Sequence, residues 1–202
     1  MMTLLAKRLP LMLAGVGLLL FLIVPPFLPR WTQFLLTVAW AKALAVLGVV
    51  LLLRGGLITF GHALYYAAGA YAVGFAVRRL GLHEGLVLVA LSAVAGAGVA
   101  GLIGALLARY RDVYFALLNL AFSMVLYALL LKFYWVTGGT DGIGVSPPRL
   151  AGIAVSPQFM RLAQYYFAMG LAVLLLYGAY RFMNSPLGYT IRAVRDNEVR
   201  VE

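Results

Sequence analysis

Cysteine is absent from the 202-residue chain, and histidine occurs only twice. The lack of cysteine excludes disulfides, thiolate nucleophiles and cysteine-ligated metal sites. Two histidines are too few for a multi-histidine metal centre, so the sequence predicts no metal and no cofactor. Charged residues are also scarce, at 11% against the roughly 25% of a typical soluble domain. A chain that is 64% hydrophobic cannot cover its surface with polar groups, and we predict an integral membrane protein.

Acidic side chains are the rarest charged group. All of them fall in predicted loops or at the ends of apolar runs: Glu84, Asp112, Asp141, Asp196, Glu198 and Glu202. Ion-coupled transporters usually need carboxylates within the membrane, so this distribution counts against a secondary transporter. The chain also lacks a nucleophile elbow, an H-E-x-x-H motif and paired buried carboxylates, which counts against a membrane enzyme.

Nucleotide-binding motifs are missing as well. "GAGVAG" at 96–101 matches G-x-G-x-x-G, but it lies inside an apolar run without the strand and acidic residue that a dinucleotide site requires. Small residues recur there every four positions, which predicts close helix packing: Ser92, Gly96, Ala100, Gly104 and Ala108. No P-loop occurs, so any ATP that drives this protein binds to another subunit.

Apolar runs are what the chain has in abundance. A membrane-spanning helix needs about 20 apolar residues, and six runs meet that length: 11–28, 33–53, 57–77, 86–108, 113–135 and 163–183. The sequence therefore predicts an all-α fold, a polytopic transmembrane helical bundle that forms a single membrane domain over 1–202. The run at 57–77 follows Arg54-Gly55-Gly56, so a broken or re-entrant segment is the alternative to a full span there.

The basic residues predict the orientation. With six crossings both termini share one side, which receives nine basic residues against five on the other. The nine are Lys7, Arg8, Arg54, Arg109, Arg111, Arg181, Arg192, Arg195 and Arg200, and the five are Arg30, Arg78, Arg79, Arg149 and Arg161. The positive-inside rule then places the termini in the cytoplasm. Because the basic residues lie singly or in pairs between apolar runs, the net charge of +10 reflects topology and does not indicate nucleic acid binding.

Polar residues within the runs are candidates for a substrate pathway. They form two helical stripes and one isolated lysine: Thr59, His62, Tyr66 and Gly69; Asn119, Ser123 and Tyr127; and Lys42. The competing interpretation of both stripes is hydrogen bonding between helices. Lys42 either snorkels to the interface or attracts a substrate carboxylate, and snorkelling is the favoured interpretation.

Two further segments stand apart from the spans. The long loop at 136–160 is rich in turn residues, and its length suits a lid or a docking surface better than a plain connector. Residues 186–202 read as an amphipathic helix in which Ser185 is the cap and Pro186 the first helical position. Its apolar residues follow helical spacing: Leu187, Ile191, Val194 and Val201. Such a helix fits a partner's groove, and a helix lying on anionic lipid is the alternative.

Four segments in this order resemble a known family: "GGLITFGHALYYAAGAYAVG", "RDVYFALLNLAFSMVLYALL", "TGGTDGIG" and "SPLGYTIRAVRDNE". The chain is similar, from about residue 45 onward, to the inner-membrane permease subunits of branched-chain amino acid ABC importers of the LivM type. The most specific matches are "TGGTDG" and "SPLG…RAVRDNE". Members of this family continue through further spans, so the chain is expected to be short at its C-terminus relative to the family.

The resemblance implies a multi-pass inner-membrane permease that moves branched-chain or related amino acids inward. The implied partners are a second related permease, two cytoplasmic ATPase subunits, a periplasmic substrate-binding protein and membrane lipid. It also implies that 186–202 is a coupling helix that docks on the ATPase through Leu187, Ile191, Arg192, Val194, Arg195 and Glu198. The orientation predicted from the basic residues places the loop that carries Gly138, Gly139, Thr140, Asp141 and Gly142 in the periplasm.

Other functions remain open at this point. Permeases of urea or short-amide ABC importers look similar to this chain. From other classes, an ion-coupled transporter or channel and a non-transporting membrane scaffold are also retained.

Overall fold

In a computed structural model of the protein, the described residues are 15, 17–110, 112–149, 156 and 159–196, without the side chains of 112, 194 and 196. Residues 17–23 are helical and lead into a short 3-10 helix at Pro25–Phe27. The helices that follow are α1 Arg30–Arg54, α2 His62–Leu80, α3 Gly85–Leu107, α4 Asp112–Lys132, α5 Tyr134–Thr137, α6 Met160–Met183 and α7 Pro186–Asp196. No strand occurs among these residues, which confirms the all-α prediction.

Among the described residues, four helices are long and apolar enough to cross a membrane. They are α1, α3, the Val113–Lys132 part of α4, and α6. The fold is therefore a polytopic helical bundle. Part of the predicted run at 11–28 lies outside the described residues. In the run at 57–77, residues 57–61 are not helical, and α2 begins only at His62.

The turn before α2 depends on glycine. α1 ends at Arg54, and Gly56 adopts a left-handed conformation with φ of 80°. Only glycine enters this region without steric cost. The amide of Leu57 donates to the carbonyl of Leu52 at 3.0 Å, which closes the end of α1. A left-handed Gly81 ends α2 in the same way, at φ of 63°.

The chain divides into two compact units. One contains the described residues up to Lys42 together with those between 155 and 174, and the other contains 43–154 and 175–202. In the first unit, Pro25 and Pro26 lack the amide hydrogens that would bond to the carbonyls of Phe21 and Leu22. The hydroxyl of Tyr165 donates to Phe21 at 2.8 Å, and that of Tyr166 donates to Leu22 at 2.9 Å. Two consecutive tyrosines of α6 thus satisfy the carbonyls that two consecutive prolines leave free.

The second unit is built on α2, α3 and α4. The most extensive packing joins α2 to α3, and α4 contacts both. A Cβ added to Gly69 of α2 would lie 3.1 Å from the backbone oxygen of Ser92, so only a small residue allows this approach. Ala76, Val77 and Leu88 form a buried apolar cluster farther along the same pair of helices.

Candidate functional site

A cavity of about 660 Å³ opens within the second unit. The end of α1, the first turn of α2, α3 from Ser92 onward and the start of α4 surround it. None of the described residues that line it carries a formal charge. Its volume falls in the range of small-molecule sites, about 300–1,000 Å³.

Asn119 of α4 is the most buried polar residue of the cavity, with a relative exposure of 0%. The hydroxyl of Tyr65 donates to its Oδ1 at 3.1 Å, whereas its Nδ2 has no hydrogen-bond partner. A buried amide without a partner is costly, so structures rarely keep one without a role. The Asn119 amide is therefore enclosed between the helices beside the cavity, with only its oxygen hydrogen-bonded.

His62 lines the same cavity from the first turn of α2. Its ring meets that of Tyr65 edge-on, with centroids 6.0 Å apart, and its Nδ1 is buried without a partner. A Cβ added to Gly48 of α1 would lie 2.9 Å from Nε2 of His62. Gly48 thus provides the space that the imidazole occupies.

The predicted small-residue ladder has two roles. Gly96 contacts α2, since a Cβ there would lie 3.6 Å from the carbonyl oxygen of Tyr65. At Gly104 a Cβ would meet nothing within 4 Å, because this residue borders the cavity. Helix packing therefore accounts for Gly96, which lies against α2. All five residues of the ladder also line the cavity, where their small side chains leave it open.

The structure brings together only some of the predicted pathway residues. His62 and Asn119, one from each stripe, line the cavity. Thr59 is buried before α2 with its Oγ1 unpartnered, and Gly69 packs on Ser92. The others lie on outer faces or between helices: Tyr66 and Tyr127 are exposed, Ser123 is half-buried, and Lys42, exposed, belongs to the first unit.

Sequence reasoning missed Tyr65. The i, i+4 spacing predicts a stripe that joins His62 to Tyr66, but the i, i+3 neighbour of His62 is Tyr65. Tyr66 has 60% of its surface exposed, whereas Tyr65 reaches Asn119. Spacing alone cannot choose between two adjacent tyrosines.

Backbone conformation and hydrogen bonds within the loop shape the predicted "TGGTDG" motif. Gly138, Gly139 and Gly142 all have positive φ, which explains why "TGGTDG" needs glycine at these places. The hydroxyl of Thr137 donates to the carbonyl of Leu130 at 2.6 Å and accepts the amide of Gly139 at 3.2 Å.

The exposed part of the loop holds Thr140 and Asp141, and Tyr134 donates to the Asp141 carboxylate at 3.4 Å. Farther on, Ile143 packs against Gly74 of α2. The amide of Arg149 donates to the carbonyl of His83 at 2.6 Å. The loop is therefore anchored to the α2–α3 turn.

α7 begins as the sequence predicts, with the hydroxyl of Ser185 accepting the amide of Gly188 at 3.3 Å. A Cβ added to Gly188 would lie 2.5 Å from the carbonyl oxygens of both Phe182 and Met183. This contact explains the glycine of the "SPLG" motif, because a side chain there would push α7 away from the end of α6.

The inner face of α7 meets the turn after α1. A Cβ on Gly55 would lie 3.3 Å from Cγ2 of Ile191, and one on Gly56 would lie 2.9 Å from Cγ of Arg195. Leu187 lies elsewhere on the helix and is 66% exposed. The guanidinium of Arg192 lies 5.7 Å from the ring centre of Tyr189. Glu198 and the side chain of Val194 lie outside the described residues.

Comparison with known proteins places the chain in a family. The model of the family described as "Branched-chain amino acid transport system / permease component" matches residues 32–202. The chain belongs to this family. The permease family resemblance expected from the sequence is thereby confirmed.

Curated relatives agree with the family assignment. The chain is 30% identical over 207 residues to the high-affinity branched-chain amino acid transport system permease protein LivM of Escherichia coli, covering 91% of this chain and 48% of the relative. It is 29% identical over 165 residues to the LivM protein of Salmonella typhimurium, covering 71% of this chain and 39% of that relative. The chain thus spans about half the length of the curated relatives it matches, or less. No solved structure matches it.

Proposed function

We propose that this permease-family chain is a membrane subunit of an ABC importer that moves branched-chain or related amino acids inward. Its partners in this proposal are a second related permease, two cytoplasmic ATPase subunits and a periplasmic substrate-binding protein. The chain itself performs no chemistry. The names of its relatives support the substrate class.

One observation carries the proposal: Gly55 lines the cavity and also lies against Ile191 of α7. A partner that grips α7 would therefore act on the wall of the cavity through a single turn. Energy from ATP must reach the substrate by a physical connection between two elements, and this turn supplies a short one.

The distribution of charge supports a cytoplasmic position for α7. Arg54 ends α1 beside the Gly55–Gly56 turn, and α7 carries Arg192 and Arg195. The anchored loop meets the α2–α3 turn near Arg78 and Arg79, at the other ends of α2 and α3 from the cavity. In the proposal the loop with Thr140 and Asp141 faces the periplasm, where a substrate-binding protein would dock.

Reconstitution tests the proposal. The chain, its permease partner and the ATPase subunits that co-purify with them would be held in nanodiscs, and ATP hydrolysis would be measured with binding protein and L-leucine. We expect L-leucine to stimulate hydrolysis several-fold and urea to have no effect. Stimulation by urea but not by L-leucine would indicate an importer of urea or short amides. A complex that is unstable, or that contains no ATPase, would contradict the importer proposal.

A further inference from the structure

Four consecutive apolar side chains lie exposed directly after α4: Phe133, Tyr134, Trp135 and Val136. Trp135 is the most exposed of them, at 92%. Among the described residues its indole has no hydrogen-bond partner, and its ring contact is with Tyr134, at 6.2 Å between the centroids. A tryptophan ring offers a large apolar area that is usually well buried. A surface outside this part of the chain therefore covers Trp135.

The length of α4 gives the position of Trp135 relative to a bilayer. The apolar part of α4, Val113–Lys132, contains 20 residues. At about 1.5 Å of rise per residue it is about 30 Å long, which equals the thickness of the hydrocarbon core. The headgroup layer adds roughly 5–7 Å on each side. When α4 spans the bilayer, a residue close to Lys132 therefore lies in the headgroup layer.

The short helix α5 keeps Trp135 close to the end of α4. The hydroxyl of Thr137 donates to the carbonyl of Leu130, seven residues earlier, at 2.6 Å. In a straight helix, residues seven positions apart are separated by about 10.5 Å of rise. The bond therefore requires α5 to turn across the end of α4 instead of extending it into water, and Trp135 stays near the depth of Lys132.

Aromatic and basic residues also mark the opposite end of α4. Tyr110 and Tyr114 are exposed there, next to an exposed Arg109. Tryptophan and tyrosine are enriched at both membrane–water interfaces, where the ring meets acyl chains and its N–H or O–H meets headgroups. Lysine and arginine near helix ends extend towards the same layer. The exposed Lys132 and Trp135 complete this pattern at the second end of the helix.

We propose that Trp135 anchors its end of α4 in the headgroup layer of the phospholipid bilayer. The ring lies against the first part of the acyl chains, and the indole N–H donates to ester or phosphate oxygens of the lipid. Tyr134 supports the ring of Trp135 edge-on and is itself held, because its hydroxyl donates to the Asp141 carboxylate at 3.4 Å. The competing occupant is a soluble protein, which would need Trp135 to stand clear of the headgroup layer.

Depth-dependent fluorescence quenching tests the anchor. The full chain, with the partners that co-purify, would be reconstituted in phospholipid vesicles whose acyl chains carry bromine either near the headgroup or near the terminal methyl group. Iodide is the quencher in water. The signal of Trp135 is the difference between the wild type and Trp135→Phe, which keeps Trp31 and Trp40, the other two of the three tryptophans. Phenylalanine at so exposed a position should leave the fold unchanged.

We expect bromine near the headgroup to quench Trp135 at least about twofold more than bromine near the methyl end, since the headgroup layer begins about 15 Å from the bilayer centre. Two substitutions added to Trp135→Phe calibrate the depth. Met124→Trp, an exposed position near the middle of α4, should be quenched most by bromine near the methyl end. Tyr114→Trp, at the opposite end, should show the same preference as Trp135.

Three results would overturn the inference. Quenching of Trp135 by iodide and by neither lipid would place the residue in water, open to a soluble partner. Protection from all three quenchers would show that a protein subunit covers the ring. Stronger quenching by bromine near the methyl end would show that α4 does not end at the headgroup layer. Each of these results leaves the importer proposal standing, because that proposal makes no use of Trp135.

Discussion

Ile191 of α7 lies against Gly55, so close that a Cβ on the glycine would be 3.3 Å from Cγ2 of the isoleucine. The neighbouring Gly56 makes the same kind of contact with the aliphatic stem of Arg195. Gly55 and Gly56 thus form the surface against which the amphipathic helix α7 packs. Larger residues at either position would separate that helix from the turn.

Gly56→Ala tests the packing of α7 against this turn. The substitution combines a positive φ of 80° with a Cβ 2.9 Å from Arg195, and the backbone term alone costs about 1–2 kcal/mol. We expect a lower unfolding temperature and faster hydrogen exchange in α7. Gly98→Ala is the matched control, because Gly98 lies within α3 with nothing within 4 Å of its Cβ position. Equal exchange in both variants would show that α7 does not rest on the turn.

Tyr165→Phe and Tyr166→Phe test the compensation for the two prolines. Each variant leaves a helix-end carbonyl without its donor, which costs about 1–3 kcal/mol in an apolar environment. The double variant should lose roughly the sum, and Tyr177→Phe, an exposed position on the same helix, should cost little. Thermal unfolding in a mild detergent measures all four. A double variant as stable as the wild type would mean that these hydroxyls do not satisfy the carbonyls of Phe21 and Leu22.

Leucine substitutions at Gly69 and Gly104 distinguish a glycine that helix packing requires from a glycine that borders the cavity. Gly69→Leu should prevent folding or lower the yield of monodisperse protein, since Gly69 faces the backbone of Ser92. Gly104→Leu should insert and fold normally yet block transport, because the added side chain enters the cavity. Size-exclusion profiles and L-leucine uptake distinguish the two results. Normal uptake in Gly104→Leu would remove the cavity from the transport pathway.

Single introduced cysteines test the orientation of the chain in the membrane. Because no native cysteine interferes, Thr140→Cys and Thr190→Cys each introduce a single reactive group. The first should react with an impermeant thiol reagent in intact spheroplasts, and the second only after permeabilisation. The opposite pattern would place α7 outside the cytoplasm, where no ATPase could reach it.

The sequence predicts the fold more completely than it predicts the candidate site. Apolar runs alone predicted the all-α membrane fold, because burial in lipid requires long apolar helices regardless of the partners of each side chain. The helical stripes predicted two cavity residues, His62 and Asn119, since spacing reports which face of a helix a residue occupies. They could not choose Tyr65 over Tyr66, because that choice depends on the rotation of α2 against α4.

The glycine motifs likewise can be found in the sequence but cannot be explained from it. The sequence marks "SPLG" and "TGGTDG" as motifs, but only the structure explains why they contain glycine. Gly188 has room for no side chain between α7 and the carbonyls that end α6, and Gly138 and Gly142 meet across a tight loop. Such contacts join residues through tertiary geometry, which a one-dimensional pattern does not contain.

The central claim, that α7 connects this chain to an ATPase, is tested most directly by a pull-down with Leu187→Asp. Leu187 is 66% exposed and does not hold α7 in place, so the variant should keep the stability of the wild type while burying an unpaired charge in the partner's groove. Leu80→Asp, an equally exposed leucine at the far end of α2, is the control. We predict that Leu187→Asp loses the ATPase on purification and that Leu80→Asp retains it. Full retention of the ATPase by Leu187→Asp, or a loss that appears only when Arg192 and Arg195 are removed and that varies with anionic lipid, would contradict the claim and identify α7 as a lipid-bound helix.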